Sequence, residues 1–378
     1  MHRYLVHQET TGASATHALV IGIGAYPHLI GGSGQLAPSN DGMQQLSSPP
    51  ISARKFAEWL ILSYRNPNQP LGSVALLLSE NPQRDFTNPK SNQQIQPENA
   101  TYDQVDEAIG DWAMRGGQNP DNLLLLYFCG HGIAQGADMA LLMSDYGNNP
   151  RARLEQALDF RRFRLGMARN LPRRQIYFVD ACRANSDTLI EAFGYAGRVP
   201  IAPGLESAAE APVYYATLAG ENAFGKPNEV SVFTDALLKG LNGSGSDNSE
   251  GDWRVTTSRL KESIDYHVRQ AFEAGAKRAQ VPPTDDLTTF DIHYLSGEPE
   301  VPVFVSCRPE SENANAEFVC KAGGVERNRR KPESAQWALP LPAGSYRFAA
   351  EFPSGSRAPV EQEVHVRPVY RKVLLEVT

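Results

Sequence analysis

NLLLLYFCGHG (122–132) and QIYFVDACR (175–183) are the two stretches that decide the fold. Each begins as an unbroken apolar run, which predicts a strand buried on both faces of a sheet. Each ends in residues that carry chemistry, a histidine between glycines in the first and a cysteine in the second. Similar apolar runs predict further strands at 18–26, 73–80, 140–145 and 212–220. Helical spacing of apolar residues predicts helices at 53–64, 105–112, 154–170, 231–241 and 257–274.

Strands and helices alternate in this way through most of the chain. That order requires crossover connections, so it predicts an α/β fold with a mostly parallel sheet flanked by helices. Ligands bind such sheets at the carboxyl ends of the strands. The strand ends at 129–132 and 181–184 are therefore the predicted functional site.

The composition changes at SGEPEVP, which begins at residue 296. Short β-like runs separated by turn formers follow it, which predicts a small C-terminal β-sandwich. We therefore predict one domain over 1–297 and an accessory β-sandwich domain over 298–378. Within the second domain, GGVERNRRKPE (323–333) is rich in charge and glycine and is predicted to be a loop.

Composition excludes several classes of function. The 378 residues include 36 basic and 43 acidic side chains, for a net charge of −7. Nucleic-acid and anionic-membrane binders are normally basic, so neither partner is expected. No run approaches the roughly 20 apolar residues of a membrane span, and the N-terminal MHRYLVHQETTGASATHALV lacks the layout of a secretion signal. The four cysteines are too few for a disulfide scaffold, and a cytoplasmic location is expected.

The two strand ends offer a thiol, Cys182, and an imidazole, His131. A thiol is only a few per cent ionised at neutral pH, so a nucleophilic cysteine needs a base within reach. A histidine takes the thiol proton and later returns it to a leaving amine. The backbone amides of Gly132 and Cys182 are the candidates for binding the oxyanion that forms in between.

Asp180 lies two residues before Cys182, so on an extended strand both side chains point to the same side. A carboxylate next to a thiol opposes its ionisation, which does not help catalysis. We interpret Asp180 instead as a substrate-binding residue that attracts a cationic group. The alternative is that it forms a hydrogen bond with the next loop.

Asp180-Ala181-Cys182-Arg183, with His131 located 51 residues before the cysteine, resembles the arrangement found in caspases. Together with ALVIGIGAY (18–26) and YYATLAGENAFGKPNEVSVFTDALLKGL (214–241), these residues identify the chain as similar to bacterial caspase-like cysteine peptidases of the caspase/metacaspase clan, peptidase C14. The resemblance covers roughly residues 17–296.

The resemblance implies a caspase–haemoglobinase fold and hydrolysis of protein or peptide substrates by a Cys182–His131 dyad, without a cofactor or catalytic metal. Whether calcium is needed stays open. Asp180 in the position before Ala-Cys implies cleavage after Arg or Lys. Family members are often self-processing, and 183–211, which contains Arg198, is where a cut is expected. A role in bacterial antiviral defence or regulated cell death, and an activating partner bound through the β domain, are further expectations.

The sequence departs from the metacaspase pattern at two positions. A second acidic residue is usual at the start of the first helix, whereas the matching stretch here is Ile51-Ser52-Ala53. That acid is either missing or supplied by Asp41. The glycine that caspases carry after Cys-Arg is replaced by Ala184.

Several plainer interpretations stay open beside these. Cys182 is alternatively an ordinary buried thiol, and the chain a catalytically dormant interaction module that acts through its β domain. Cys129 lies inside its strand and is expected to pack in the core. Cys129 and His131 are too close in sequence for zinc-ligand spacing. Gly22-Ile23-Gly24 lacks the third glycine of a dinucleotide-binding loop, so we reject that function.

If Cys182 is the activated nucleophile, iodoacetamide should label it faster than the other three cysteines, because only its thiolate is stabilised by a neighbouring base. The measurement is the labelling rate of each cysteine by mass spectrometry, in the wild type and in His131→Ala. The fast phase should disappear in the variant. Equal labelling of Cys182 and Cys129 would instead support the dormant module.

Overall fold

The computed structural model describes residues 4–9, 12, 14–38, 40–135, 138–152, 154–181, 209–216, 227–274 and 284–377. Through Tyr294 the strands of the described residues are β1 (Leu5–Gln8), β2 (Thr16–Ile23), β3 (Leu71–Ser79), β4 (Phe86–Thr87), β5 (Gln94–Ile95), β6 (Leu123–Gly130), β7 (Gly132–Gln135), β8 (Asp138–Leu142), β9 (Ala157–Asp159), β10 (Arg174–Ala181), β11 (Val213–Tyr215), β12 (Ser246–Asp247), β13 (Arg254–Thr256), β14 (Thr284–Asp285) and β15 (Asp291–Tyr294). The helices are α1 (Ser48–Leu62), α2 (Tyr102–Gly117), α3 (Phe160–Met167), α4 (Val232–Lys239) and α5 (Thr257–Ala274), with a π-helical turn at Gly240–Ser244.

Among the described residues, seven strands form the central sheet, in the order β1–β3–β2–β6–β10–β11–β14. The five inner strands run parallel, while β1 and β14 pair antiparallel at the two edges. The predicted α/β fold with a mostly parallel, helix-flanked sheet is confirmed. The apolar run at 140–145 was expected to join this sheet, but β8 pairs with β7 and β9 in a separate three-stranded sheet. Its connection to β7 is too short for a crossover, so the two strands form an antiparallel hairpin.

Helices cover both faces of the central sheet. On one face, α2 inserts Trp112, which is fully buried and donates its indole N–H to the carbonyl of His17 at 2.9 Å. On the other face, the ring of Phe56 in α1 stacks on Tyr127 of β6, with centroids 4.7 Å apart. Two prolines at the start of α1 suit the first helical turn, whose amides have no partner within the helix.

Gly22 and Gly24 allow β2 and α1 to approach closely, and this explains the glycine pair that the sequence left without a function. A Cβ at Gly22 would lie 2.6 Å from the Cβ of Ala53. A Cβ at Gly24 would lie 2.2 Å from the carbonyl oxygen of Leu46, which is closer than a carbon and an oxygen atom can pack. In return the Leu46 amide donates to the carbonyl of Gly24 at 2.9 Å. The glycines therefore serve packing at the carboxyl end of β2.

The chain divides into two compact units, one of residues 1–238 and 267–290 and the other of residues 239–266 and 291–378. The second unit contains the C-terminal strands β16 (Glu300–Arg308), β17 (Glu317–Ala322), β18 (Val325–Arg330), β19 (Trp337–Pro342), β20 (Gly344–Glu351), β21 (Val360–Val366) and β22 (Arg371–Glu376), with a 3-10 turn at Glu310–Ala314. These strands form a three-stranded and a four-stranded sheet that enclose one apolar core, so a C-terminal β-sandwich is present as expected. The boundary after residue 297 stays a prediction, because the sandwich shares its unit with residues 239–266.

The predicted loop at 323–333 is wrong. Its residues Val325–Arg330 form β18, which pairs with β17 through a turn whose two glycines, Gly323 and Gly324, have φ of +57° and +81°. The charged side chains that suggested a loop lie on the surface of the sheet, where Arg329 forms ion pairs with Glu317 and Glu351. Arg330 lies over the ring of Phe318 at 4.9 Å. A strand whose exposed side chains pair with neighbouring strands has the composition of a solvated loop.

None of the helices in the described ranges is long and apolar enough to span a membrane.

Replacing Gly24 with alanine should lower the free energy of unfolding by about 1–3 kcal/mol, because the new methyl group must displace a backbone carbonyl. The matched control is Gly110→Ala in α2, where a Cβ would meet nothing within 4 Å. Helix propensity predicts that this control gains up to about 1 kcal/mol. Urea unfolding of both variants provides the measurement, and a Gly24→Ala midpoint equal to that of the wild type would contradict the close approach.

Candidate active site

The site forms where two neighbouring parallel strands end. β6 and β10 pair in register up to Gly130 opposite Ala181. Since both strands run in the same direction, their carboxyl ends lie at the same edge of the sheet. The next residues in sequence are His131 after β6 and Cys182 after β10. Cys182, and with it the second amide of the predicted oxyanion site, lies outside the described residues.

The imidazole of His131 is held in one tautomer. The residue is 7% exposed, and its Nε2 lies 2.7 Å from the carbonyl oxygen of Gln44. A carbonyl oxygen only accepts hydrogen bonds, so Nε2 carries the hydrogen and Nδ1 is the acceptor. Burial lowers the pKa of His131, and the hydrogen bond to the Gln44 carbonyl opposes this shift only in part. The ring is therefore a neutral base at neutral pH, with its lone pair on Nδ1.

Tyr26 fixes the backbone and the ring plane of His131. Its hydroxyl accepts a hydrogen bond from the His131 amide at 2.8 Å and donates to the carbonyl of Leu142 at 3.4 Å. Its ring lies 4.9 Å from the imidazole, centroid to centroid. A Cβ at Gly130 would come within 2.8 Å of this hydroxyl, which accounts for the glycine before the histidine. The hydroxyl therefore bridges two backbone groups at the point where β6 ends.

The amide of Gly132 points away from the β7–β8 hairpin. Leu142 donates its amide to the carbonyl of His131 at 3.0 Å, so these two residues form a hydrogen-bonded pair. Pairs alternate along an antiparallel ladder, which makes Gly132 and Leu141 the next, non-hydrogen-bonded pair. An amide in that orientation is what an oxyanion site at this strand end requires.

Asp180 is buried, with 3% of its surface exposed, on the face of the sheet covered by α1 and α4. Its Oδ2 accepts hydrogen bonds from the hydroxyls of Ser231 and Thr234, the latter at 2.6 Å. Ser231 also accepts from the amide of Thr234 and donates its own amide to Ser52 Oγ, both at 3.0 Å. Asp180 thus joins the end of β10 to the starts of α4 and α1.

Burial raises the pKa of Asp180, and the hydroxyl groups of Ser231 and Thr234 counteract this by donating to the carboxylate. In the described part of the chain, its side-chain partners are hydroxyl and thiol groups, and no Lys, Arg or His lies within ion-pair distance. A cation placed next to this carboxyl group would favour its ionised form and would supply the counter-charge that the described residues do not.

The second acid of the metacaspase pattern has a neutral substitute. Ser52 is fully buried near the start of α1, and its hydroxyl is the acceptor for the Ser231 amide described above. Asp41, the alternative, is exposed in a turn and has φ of +48°. Ser52 is linked to Asp180 through Ser231, and it adds no second negative charge beside that carboxyl group.

Cys129, the competing thiol, is 3% exposed and packs inside β6 as expected. It lies within hydrogen-bonding reach of Asp180. Across the ranges for which the structure is described, no group of three or more His, Cys, Asp or Glu side chains is arranged to hold a metal ion.

Sequence reasoning missed Tyr26 and Gln44, although Tyr26 ends the quoted stretch ALVIGIGAY. Gln44 acts through its backbone carbonyl, for which a side-chain pattern gives no signal. Tyr26 lies in an irregular segment more than a hundred residues before His131, and only the pairing of β2 with β6 brings the two together.

The imidazole of His131 should titrate with a midpoint below its ordinary value of 6.5, because burial disfavours the charged form. The measurement is a histidine NMR titration in Cys182→Ala, so that thiol ionisation does not contribute, with the signal assigned by His131→Asn. A midpoint at or above 6.5 would contradict the buried, neutral base.

The chain is similar to several known proteins. A family model described as a caspase domain, Peptidase_C14, matches residues 15–291. The chain is 26% identical over 306 residues to the uncharacterized protein y4kE of Sinorhizobium fredii, an alignment that covers 76% of this chain and 82% of that protein. Among solved structures it is similar to caspase-1 from Spodoptera frugiperda, with 11% identity, 75% of this chain and 89% of that chain covered, and a TM-score of 0.42.

The family match spans well over half of the chain and includes β2, β6, β10 and both strand ends that form the site. Membership implies the peptidase class and protein substrates. The chain belongs to the caspase-domain family, peptidase C14.

Proposed function

We propose that this protein is a cysteine endopeptidase in which Cys182 is the nucleophile and His131 the general base and then the general acid. The observation that carries the proposal is the tautomer of His131. Its Nε2 is committed to the carbonyl of Gln44 at 2.7 Å, which leaves Nδ1 to accept a proton. The strand that ends at His131 pairs in register with the strand that precedes Cys182.

The chemistry follows from these roles. His131 Nδ1 takes the thiol proton, and the Cys182 thiolate adds to the carbonyl carbon of the scissile peptide bond. The oxyanion accepts hydrogen bonds from the amides of Gly132 and Cys182. The imidazolium then protonates the leaving amine, and the carbon–nitrogen bond breaks to give a thioester. Water, deprotonated by His131, hydrolyses the thioester and restores the thiol.

We propose further that Asp180 directs cleavage to peptide bonds after Arg or Lys. The support is its charge balance, since its partners in the described residues are neutral donors. A cation about 4 Å away is worth roughly 4 kcal/mol at an intermediate dielectric, before desolvation is subtracted. The same charge repels an acidic residue at the cleaved position. Ser52, linked to Asp180 through Ser231, has no charge to add.

The remaining parts of the proposal concern regulation and setting. We propose that the protease is cytoplasmic, that it processes itself within 183–211, with Arg198 as the candidate cut, and that a partner bound to the C-terminal β-sandwich controls it. Residues 183–208 lie outside the described part of the chain. Antiviral defence or regulated cell death is the setting that the family resemblance suggests. Each of these parts requires a working dyad first.

Wild-type protein should hydrolyse fluorogenic peptides that end in Arg, and Cys182→Ala should show no turnover because it has no nucleophile. The measurement is a peptide library varied at the residue before the cleaved bond, with and without calcium. Mass spectrometry of the same samples reports any cut at Arg198 in the wild type only. Failure of the wild type to cleave any Arg, Lys or Asp peptide would contradict the proposed activity.

Asp180→Asn should lower kcat/KM for the Arg peptide by about 30-fold, which corresponds to roughly 2 kcal/mol left after desolvation. The preference for Arg over a neutral residue should fall by the same factor. Asp159→Asn is the matched control, because Asp159 is also a buried carboxylate, 6% exposed, but caps α3 through the amide of Arg162. An unchanged preference in Asp180→Asn would assign Asp180 a purely structural role.

A further inference from the structure

We infer that the Gln45 side chain positions the imidazole of His131 by locking together the two points that hold it. The inference rests on the proposed peptidase function and names a positioning residue for it. His131 is held by the Tyr26 hydroxyl at its amide and by the Gln44 carbonyl at Nε2. Both groups belong to the segment between β2 and α1, yet they lie eighteen residues apart within it.

That segment is irregular over most of its length, so no continuous ladder fixes Tyr26 relative to Gln44. The backbone offers isolated links, such as the Ile30 amide to the Met43 carbonyl at 3.1 Å and the Leu46 amide to the Gly24 carbonyl at 2.9 Å. The carbonyl of Tyr26 itself accepts the amide of Leu29, at 3.1 Å, within the same part of the segment. A side chain next to Gln44 that bonds to the backbone of Tyr26 would add a direct link between the two groups that hold His131.

The carboxamide of Gln45 supplies this link. Its Oε1 accepts from the amide of Tyr26 at 2.8 Å, and its Nε2 donates to the carbonyl of Tyr26 at 2.9 Å and to the carbonyl of Ile30 at 3.2 Å. Donor and acceptor of one side chain thus engage both polar groups of one residue, as a neighbouring strand would. These three hydrogen bonds of the Gln45 side chain form a clamp. Because Gln45 follows Gln44 directly, the clamp joins the Gln44 carbonyl, which binds His131 Nε2, to Tyr26, whose ring contacts the imidazole.

The clamp affects the chemistry because it maintains the Nε2–H tautomer of His131. With the Gln44 carbonyl in place, the hydrogen stays on Nε2, and Nδ1 is free to act as the base. If the carbonyl moves away, the two neutral tautomers become closer in energy, and part of the population carries its hydrogen on Nδ1, where it blocks proton transfer. Loss of positioning by about 1 Å can reduce a rate by roughly 100-fold. Substrate binding uses other groups, so the loss belongs in kcat.

A second glutamine in the chain provides a matched control. Gln83 lies after β3, is half-buried, and donates its Nε2 to the carbonyls of Leu78 and Pro97 at 3.0 and 3.1 Å. It therefore makes the same kind of side-chain bridge between two backbone segments. Its partners Leu78, Glu80 and Pro97 are not among the residues that form hydrogen bonds with His131. Replacing Gln83 removes a comparable structural link without touching the clamp.

The experiment compares Gln45→Met and Gln83→Met, which keep the side-chain length and remove the amide. For each, kcat and KM are measured with the Arg peptide, and the tautomer of His131 is read from its ring nitrogen shifts in histidine-labelled protein. Gln45→Met should lower kcat by about 10- to 100-fold with KM within about twofold, and should mix the tautomers. Gln83→Met should leave both readouts close to wild type.

Two results would overturn the inference: a Gln45→Met protein with wild-type kcat and a pure Nε2–H tautomer, or equal losses in Gln45→Met and Gln83→Met. The tautomer readout does not depend on turnover. A wild type without peptidase activity, but with a tautomer that mixes only in Gln45→Met, would therefore support the clamp while refuting the proposed function.

Discussion

The parallel pairing of β6 with β10 is the constraint on which the candidate site depends. Two residues separated by 51 positions in sequence follow neighbouring strands that end in register. The pairing is stabilised by apolar side chains on both faces of the sheet, which bury every residue of β6 and nearly all of β10. A change of register by one residue would exchange the faces of all these side chains, so the sheet core itself sets the relation between the two strand ends.

Around this edge, irregular segments are held by side-chain hydrogen bonds instead of ladders. The Tyr26 hydroxyl substitutes for a ladder bond between His131 and Leu142, and Gln45 substitutes for a strand beside Tyr26. On the other face, Asp180 accepts hydrogen bonds from the hydroxyls of Ser231 and Thr234 at the start of α4. Such groups are rigid only while all partners are present, because each buried polar atom that loses its partner costs about 1–3 kcal/mol. Precise placement of a base is consistent with this form of support.

The sequence predicted the features that follow from periodicity and failed where long-range contacts decide. The inner strands were predictable because buried parallel strands are continuous apolar runs, and the helices because apolar residues recur along one face. The helix predicted at 154–170 is wrong over its first residues, because Ala157–Asp159 form β9 and α3 spans only Phe160–Met167. His131 was predicted as a site residue because glycines flank it at a strand end, and its catalytic role stays a prediction. The strand β18 was not predictable, since its charges pair with residues on neighbouring strands that a local pattern cannot include. Likewise, Gln44 contacts His131 through its backbone carbonyl, which no side-chain pattern indicates. Gln45 forms its hydrogen bonds with Tyr26, nineteen positions earlier, which a local pattern cannot include.

The most direct test of the account is the distance between His131 Nδ1 and Cys182 Sγ in a crystal structure of the wild type bound to a peptide inhibitor that ends in Arg. Proton transfer from the thiol to the imidazole requires a separation of about 4 Å or less, with Nε2 still on the Gln44 carbonyl. The account predicts this separation, and it also predicts that the inhibitor's cationic group faces Asp180. A thiol and an imidazole that point away from each other in that complex would contradict the central claim.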